Sequence, residues 1–204
     1  MAATRQKILD TARALFNERG LYRVGVRDVA RAAGISPGNL GYHFPTRDDL
    51  VSALVLELRG LAARTVFAVL PDDFSLATLY LTACGAMRHM LAYRFVLLSY
   101  VDAVAASPEL LRLEASLRAD RRRRSDAMVA RLVANGYVDG ERAARAEHLF
   151  EQSEMVSSGW LGAASLRPDL RDDDAAAVLH YAKVGCALLE PYCTPKGARQ
   201  MAEV

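Results

Sequence analysis

Apolar residues recur at helical spacing along most of the chain, and proline and glycine punctuate the pattern. Past residue 46 this spacing predicts helices over 47–69, 75–91, 93–106, 108–135, 140–166 and 172–190. Their breaks fall at Pro71, Ser107-Pro108, Gly136, Pro168 and Pro191. No stretch alternates with the period of a strand and none repeats, so the fold class read from the pattern is all-α.

The shorter N-terminal elements are marked by their cap residues. Val29, Ala30 and Ala33 recur at helical spacing, and Gly34 follows where a helix needs a left-handed C-cap. Ser36 then stands as an N-cap and Pro37 as a first-turn proline. The second helix must stop at Phe44, because the residue before Pro45 is pushed out of the α region. Ile35, Leu40 and Phe44 are placed to pack inward, leaving Pro37, Gly38, Asn39, Gly41, Tyr42 and His43 outward. Thr46 with Asp49 forms a capping box for the next helix. A short polar helix after a glycine turn suits a major groove, and Asn can bond adenine bidentately. Charge agrees with this reading. Residues 1–50 hold eight basic and five acidic side chains, a net of +3, whereas the remainder holds 18 and 19, a net of −1. The basic excess is therefore confined to the end that reads as a nucleic-acid binder.

Composition narrows the alternatives. Apolar residues make up 52% of the chain, enough to bury a core. Three cysteines (Cys84, Cys186, Cys193) without CxxC spacing, and four scattered histidines, suggest no disulfide framework, metal or cofactor. No apolar run reaches the roughly 18 residues that span a bilayer, and the N-terminus lacks a signal-peptide core. The expectation is a soluble, cytoplasmic protein that meets no membrane.

The N-terminal motifs resemble the tetracycline-repressor (TetR) family of transcriptional regulators. The resemblance is carried by the helix pattern of KILDTARALFNER from Lys7 to Arg19, the turn Gly20-Leu21-Tyr22, the Val-Arg-Asp-Val-Ala of Val26 to Ala30, and His43-Phe44 before a capped fourth helix. It implies a helix-turn-helix DNA-binding domain at 1–46 and a helical effector-binding and dimerisation domain at 47–204, in a regulator rather than an enzyme. Carried over residue by residue, it places Arg27, Asn39 and His43 at base edges and Ser36, Tyr42 and Arg47 at phosphates. Two positions depart from the family pattern. Gly25 stands where a capping Thr or Ser is usual, and Gly41 where an aromatic is usual. The function implied is a homodimeric repressor that a small-molecule effector releases from a palindromic double-stranded DNA operator. The alternatives from other classes are an architectural DNA binder without effector and an all-α enzyme using Cys84 or His89.

Three features of the second domain bear on that function. Small residues form stripes at Ala146, Ser153, Ser157 and Ala164 and at Ala175, Ala182, Gly185 and Cys186. Such stripes fit either packing within one chain or the dimer interface that the resemblance implies. Tyr80, Cys84, Met87 and Leu91 share one helical face, and with Tyr100, Asp102 and Trp160 they form the candidate effector pocket, or else plain core. The run Arg121–Arg124 fans round its helix, and Glu114–Arg118 and Asp120–Arg124 at i, i+4 predict a solvated face, the alternatives being an acidic ligand, an acidic partner surface or a secondary DNA contact.

Overall fold

The computed structural model describes residues 2–65, 70–105 and 107–204. Helix α1 (Ala2–Arg19) leads through a 3-10 turn (Leu21–Arg23) to α2 (Val26–Ala33) and α3 (Pro37–His43), and α4 (Arg47–Thr65) follows. The chain continues through α5 (Leu76–Leu91), α6 (Arg94–Leu98), α7 (Tyr100–Ala105), α8 (Pro108–Ala134), α9 (Gly140–Ala144), α10 (Leu149–Ser165) and α11 (Asp174–Ala187). A 3-10 turn (Glu190–Tyr192) and α12 (Pro195–Glu203) close it. Among the described residues there is no strand, and a lone bridge pairs Val138 with Cys193. The fold is all-α.

Two of the expected helices are broken. The segment 93–106 parts at Ser99, whose N–H turns back to the carbonyls of Phe95 (3.1 Å) and Val96 (3.3 Å), ending α6 before α7 begins. The segment 140–166 parts after Ala144, where Arg145 N–H closes a tight turn on Arg142 O at 3.1 Å. Ala146 therefore lies in a turn and not on a stripe with Ser153. Residues 66–69 of the expected fourth helix lie outside the described residues. Helix α12 lies beyond the last helix the spacing predicts, although its Thr194-Pro195 start repeats the cap signature of Ser36-Pro37; Thr194 Oγ1 accepts from Gly197 N–H at 3.1 Å.

The chain forms two compact units. The first comprises residues 1–61 with 90–114 and is thus wider than the 1–46 span read from the motifs. Its core joins Ile8, Phe16, Val29, Leu40 and Phe44 to Leu50, Leu54 and Val55 of α4, and also to Tyr93, Phe95, Val96, Val104 and Leu110. The second comprises residues 62–89 with 115–204. There Phe74, Leu76, Leu132, Val138, Cys186, Leu189 and Met201 share a core. Helix α12 is tied in by Gln200, whose Oε1 accepts the N–H groups of Leu76 (2.9 Å) and Ala77 (3.4 Å) and so satisfies first-turn donors of α5. Its approach needs glycine: a Cβ on Gly197 would stand 2.0 Å from Tyr137 O.

The arginine run is in part the solvated face expected, but two arginines of this stretch also reach another helix. Arg118 bonds Glu154 at 2.8 Å and Glu151 at 3.3 Å, and Arg121 bonds Glu154 at 3.1 Å, so these two tie α8 to α10. Arg118 and Arg122 also sit over the Phe150 ring at 5.2 and 5.3 Å. Asp120 pairs with Arg123, not Arg124, and Arg122 pairs with Asp126 at 2.9 Å.

Candidate nucleic-acid interface

The turn between α2 and α3 is built as its residues dictate. Gly34 adopts φ 66°, ψ 35°, and the N–H of Ile35 returns to Ala30 O at 3.0 Å, closing α2 in a left-handed cap that a side chain would strain. Ser36 Oγ accepts Asn39 N–H at 3.2 Å and opens α3. Leu40 is fully buried and Phe44 nearly so, which fixes the rotation of the helix. Asn39 is exposed, Tyr42 is 75% exposed, and His43 is half-buried with its ring edge-on to Tyr42 at 5.3 Å. At the far end Thr46 and Asp49 exchange bonds, Thr46 N–H to Asp49 Oδ2 at 2.9 Å and Asp49 N–H to Thr46 Oγ1 at 3.1 Å. The capping box fixes the start of α4 directly behind α3.

Arginines flank this face. Arg27 is exposed on α2. Arg47 lies with its guanidinium 5.8 Å from the Tyr22 ring centre and 3.7 Å from Asp48. Asp102 beside the Tyr22 phenol holds it above its usual pKa. At Gly25 the N–H goes to Asp28 Oδ2 at 3.0 Å, so half of a capping box forms without the side chain the family pattern has there. Beside the face a cavity of about 680 Å3 opens in the same unit, with Arg5, His43, Phe44, Asp48 and Glu57 among its walls.

The other expected sites are distributed differently. Tyr80, Met87 and Trp160 belong to the second unit, whereas Tyr100 and Asp102 belong to the first, and the Tyr100 side chain lies outside the described residues. Cys84, Met87 and Trp160 are buried, and burial, then the neighbouring Cys84, raises the Tyr80 phenol. Asp102 is exposed, with Tyr22 rather than a cavity wall as its partner. Of the interface residues, Ala164 and Ala182 are buried within the single chain, and a Cβ on Gly185 would stand 3.8 Å from Val156, so Gly185 faces the packing of α11 on α10. Ser153 is half-buried, while Ser157 and Ala175 are exposed. The large apolar side chains left open on α10 and at its C-cap are Met155 (74%) and Leu166 (85%), spaced with Gly159 and Gly162 along one helical face. Burial could not be read from the small residues themselves; the exposed Met and Leu at i and i+11 were the usable signal. Among the described residues no three His, Cys, Asp or Glu side chains gather for a metal ion, and no helix is long and apolar enough to cross a membrane.

A capped helix-turn-helix that presents an exposed polar helix between arginines defines a DNA-binding transcriptional regulator. The chain belongs to the tetR family of bacterial regulatory proteins: the family's DNA-binding model matches residues 8–54, and a model described as bacterial transcriptional repressor matches residues 64–201. It is 35% identical over 54 residues to the HTH-type transcriptional regulator UidR of Escherichia coli (strain K12), a match covering 26% of this chain and 28% of UidR. To the HTH-type transcriptional repressor KstR2 of Rhodococcus jostii (strain RHA1) it is 45% identical over 51 residues, 25% of each chain. Both matches thus span about a quarter of the relative. The fold is shared with a TetR-family regulator from Marinobacter aquaeolei VT8, at TM-score 0.84 and 19% identity over 98% of this chain and 95% of that one. It is shared also with SmeT, the Stenotrophomonas maltophilia repressor, in its complex with triclosan, at TM-score 0.64 and 22% identity over 95% and 93%.

Proposed function

We propose that the chain is a cytoplasmic, homodimeric repressor that occupies a palindromic operator and leaves it when a small molecule binds. Residues 1–46 read the DNA and residues 47–204 bind the effector and the second copy. Arg27, Asn39 and His43 meet base edges, while Ser36, Tyr42 and Arg47 hold phosphates. The observation that carries this reading is the pose of α3: its cap on Ser36 and its buried Leu40 leave Asn39 and Tyr42 standing free on a rigid element. The name of KstR2 and that of SmeT support the negative sign of regulation.

Dimerisation is supported by the open face of α10. Met155, Gly159, Gly162 and Leu166 combine exposed apolar groups with small residues that permit close approach, and Leu179 of α11 adds to the exposed apolar surface. Two-fold symmetry then sets half-sites about 34 Å apart or a multiple of it. For the effector, SmeT with triclosan supports an apolar molecule of modest polarity, and the stripe of Tyr80, Cys84 and Met87 together with Trp160 offers it aromatic and sulfur contacts. A ligand need only prefer the DNA-incompetent state to act as inducer, and no catalysis is required.

The test is selection of duplexes from a random pool by the full chain. Enrichment of a palindrome bound by two copies supports the reading; a monomer that enriches nothing at low salt overturns it.

A further inference from the structure

One side chain holds the α5–α6 turn on α1. Asn17, half-buried, donates from Nδ2 to Ala92 O at 2.8 Å, and its Oδ1 accepts Phe95 N–H at 3.1 Å. A single amide thus serves an acceptor just before α6 and a first-turn donor of α6. That helix has five residues and no side-chain cap from Tyr93, so its own bonds cannot fix its place. Around the amide the contacts run the same way. The Phe16 and Phe95 rings lie 5.1 Å apart, and Arg13 donates to the buried Tyr93 hydroxyl at 3.1 Å. Arg13 stands 3.6 Å from Glu57 of α4, which accepts from Gln6 at 3.1 Å. Helices α1, α4 and α6 therefore meet in one polar cluster, against a core that also contains Val29 and Leu40 of the DNA-reading helices.

We propose that Asn17 is a positioning residue for DNA binding, setting where α6 grips α1 while touching neither DNA nor effector. The inference rests on the operator-binding reading above. Close-packed cores transmit small displacements, so a change in the grip on α1 reaches α2 and α3 through Ile8, Phe16 and Val29. Helix α5 runs by chain continuity from the candidate effector residues Tyr80, Cys84 and Met87 to Ala92.

Two full-length variants test this. Asn17→Leu removes both bonds at similar volume; Asn17→Asp keeps the acceptor for Phe95 N–H and sets a carboxylate oxygen against Ala92 O. The probe is the duplex that the wild type selects, with its Kd followed by anisotropy over a range of salt, alongside amide exchange. Both variants should weaken binding about three- to thirtyfold, the scale of losing one or two ordinary hydrogen bonds. The salt slope should stay unchanged, since no phosphate contact is lost. Faster exchange should be confined to residues 92–98. Unchanged affinity in both variants overturns the proposal, as does weaker binding accompanied by faster exchange throughout residues 2–61, which is plain destabilisation. A wild type that selects no duplex overturns the operator reading and this inference with it; a wild type that binds, with variants that bind equally well, overturns the role of Asn17 alone.

Discussion

Ser36 Oγ accepts the backbone N–H of Asn39 at 3.2 Å, so the residue that caps α3 is bonded to the residue the helix presents. The two have separable effects. Ser36→Ala should cost about 1 kcal/mol of stability through the lost cap, and should weaken binding to all duplexes alike. Asn39→Ala keeps the backbone bond, so thermal stability should hold while preference relaxes at one base position per half-site, by about 1 to 3 kcal/mol. Parallel melting curves and binding to single-base operator variants check both. Altered base preference in Ser36→Ala with none in Asn39→Ala would reverse the roles.

The Arg47 guanidinium stands 5.8 Å from the centre of the Tyr22 ring, on the side of the unit that carries α3. Arg47→Ala should weaken binding to every sequence about equally and reduce the slope of log Kd against log salt by roughly one. A slope equal to that of the wild type would mean Arg47 meets no phosphate.

The two glycines that depart from the family pattern have room for side chains. Gly25 has extended backbone (φ −98°, ψ 166°), and a Cβ there meets Asp28 at an ordinary 3.5 Å; a Cβ on Gly41 meets nothing within 4 Å. Gly41→Ala should stabilise the protein by up to about 1 kcal/mol. Gly25→Thr should add a few tenths of a kcal/mol as a cap, and should tighten DNA binding by supplying a hydroxyl at the start of α2. Denaturant unfolding and operator titration give the two signs; destabilisation by Gly41→Ala would show that α3 is not helical at that position in solution.

Cap residues made the helix-turn-helix readable in the sequence, because each cap acts within four residues: Gly34, Ser36, Thr46 and Asp49 all do in the structure what their types suggest. What was not readable depends on distant partners. Nothing local to Arg118 reveals that Glu151 and Glu154 will meet it across α8 and α10. Spacing alone groups Asp102 with a pocket, whereas the phenol it acts on, Tyr22, lies eighty positions earlier. Ala164 and Ala182 follow the same logic: a small residue marks a close approach but not which helix approaches, and here it is the same chain.

Burial, with Cys84 a lesser cause, pushes the Cys186 thiol from 9.0 up to about 12. Between those values the unfolded chain has lost this proton while the folded one keeps it. The thiol's contribution to stability is therefore complete below pH 9 and falls as pH rises toward 12. Unfolding measured from pH 8 upward should show a steeper decline for the wild type than for Cys186→Ala. In the native state Cys186 should resist alkylation while the half-buried Cys193 reacts sooner. Equal pH slopes in the two proteins would show that the thiol ionises alike in both states.

Leu166, the C-cap of α10, is 85% exposed and Met155 on α10 is 74% exposed, with Gly159 and Gly162 between them, whereas Ala182 on α11 is fully buried within the chain. The open face and the closed one make opposite predictions. Leu166→Glu sets a charge where a second copy would pack, yet it disturbs nothing inside the chain. It should yield a folded monomer that melts close to the wild type and loses tight operator binding, since one recognition helix cannot span two half-sites. Ala182→Leu overfills a packed site and should destabilise the fold by about 1 to 3 kcal/mol, through strain within the chain rather than through loss of the partner. Light scattering, melting and operator titration on the two variants separate these outcomes. A Leu166→Glu protein that remains a dimer at micromolar concentration would place the interface elsewhere on the chain.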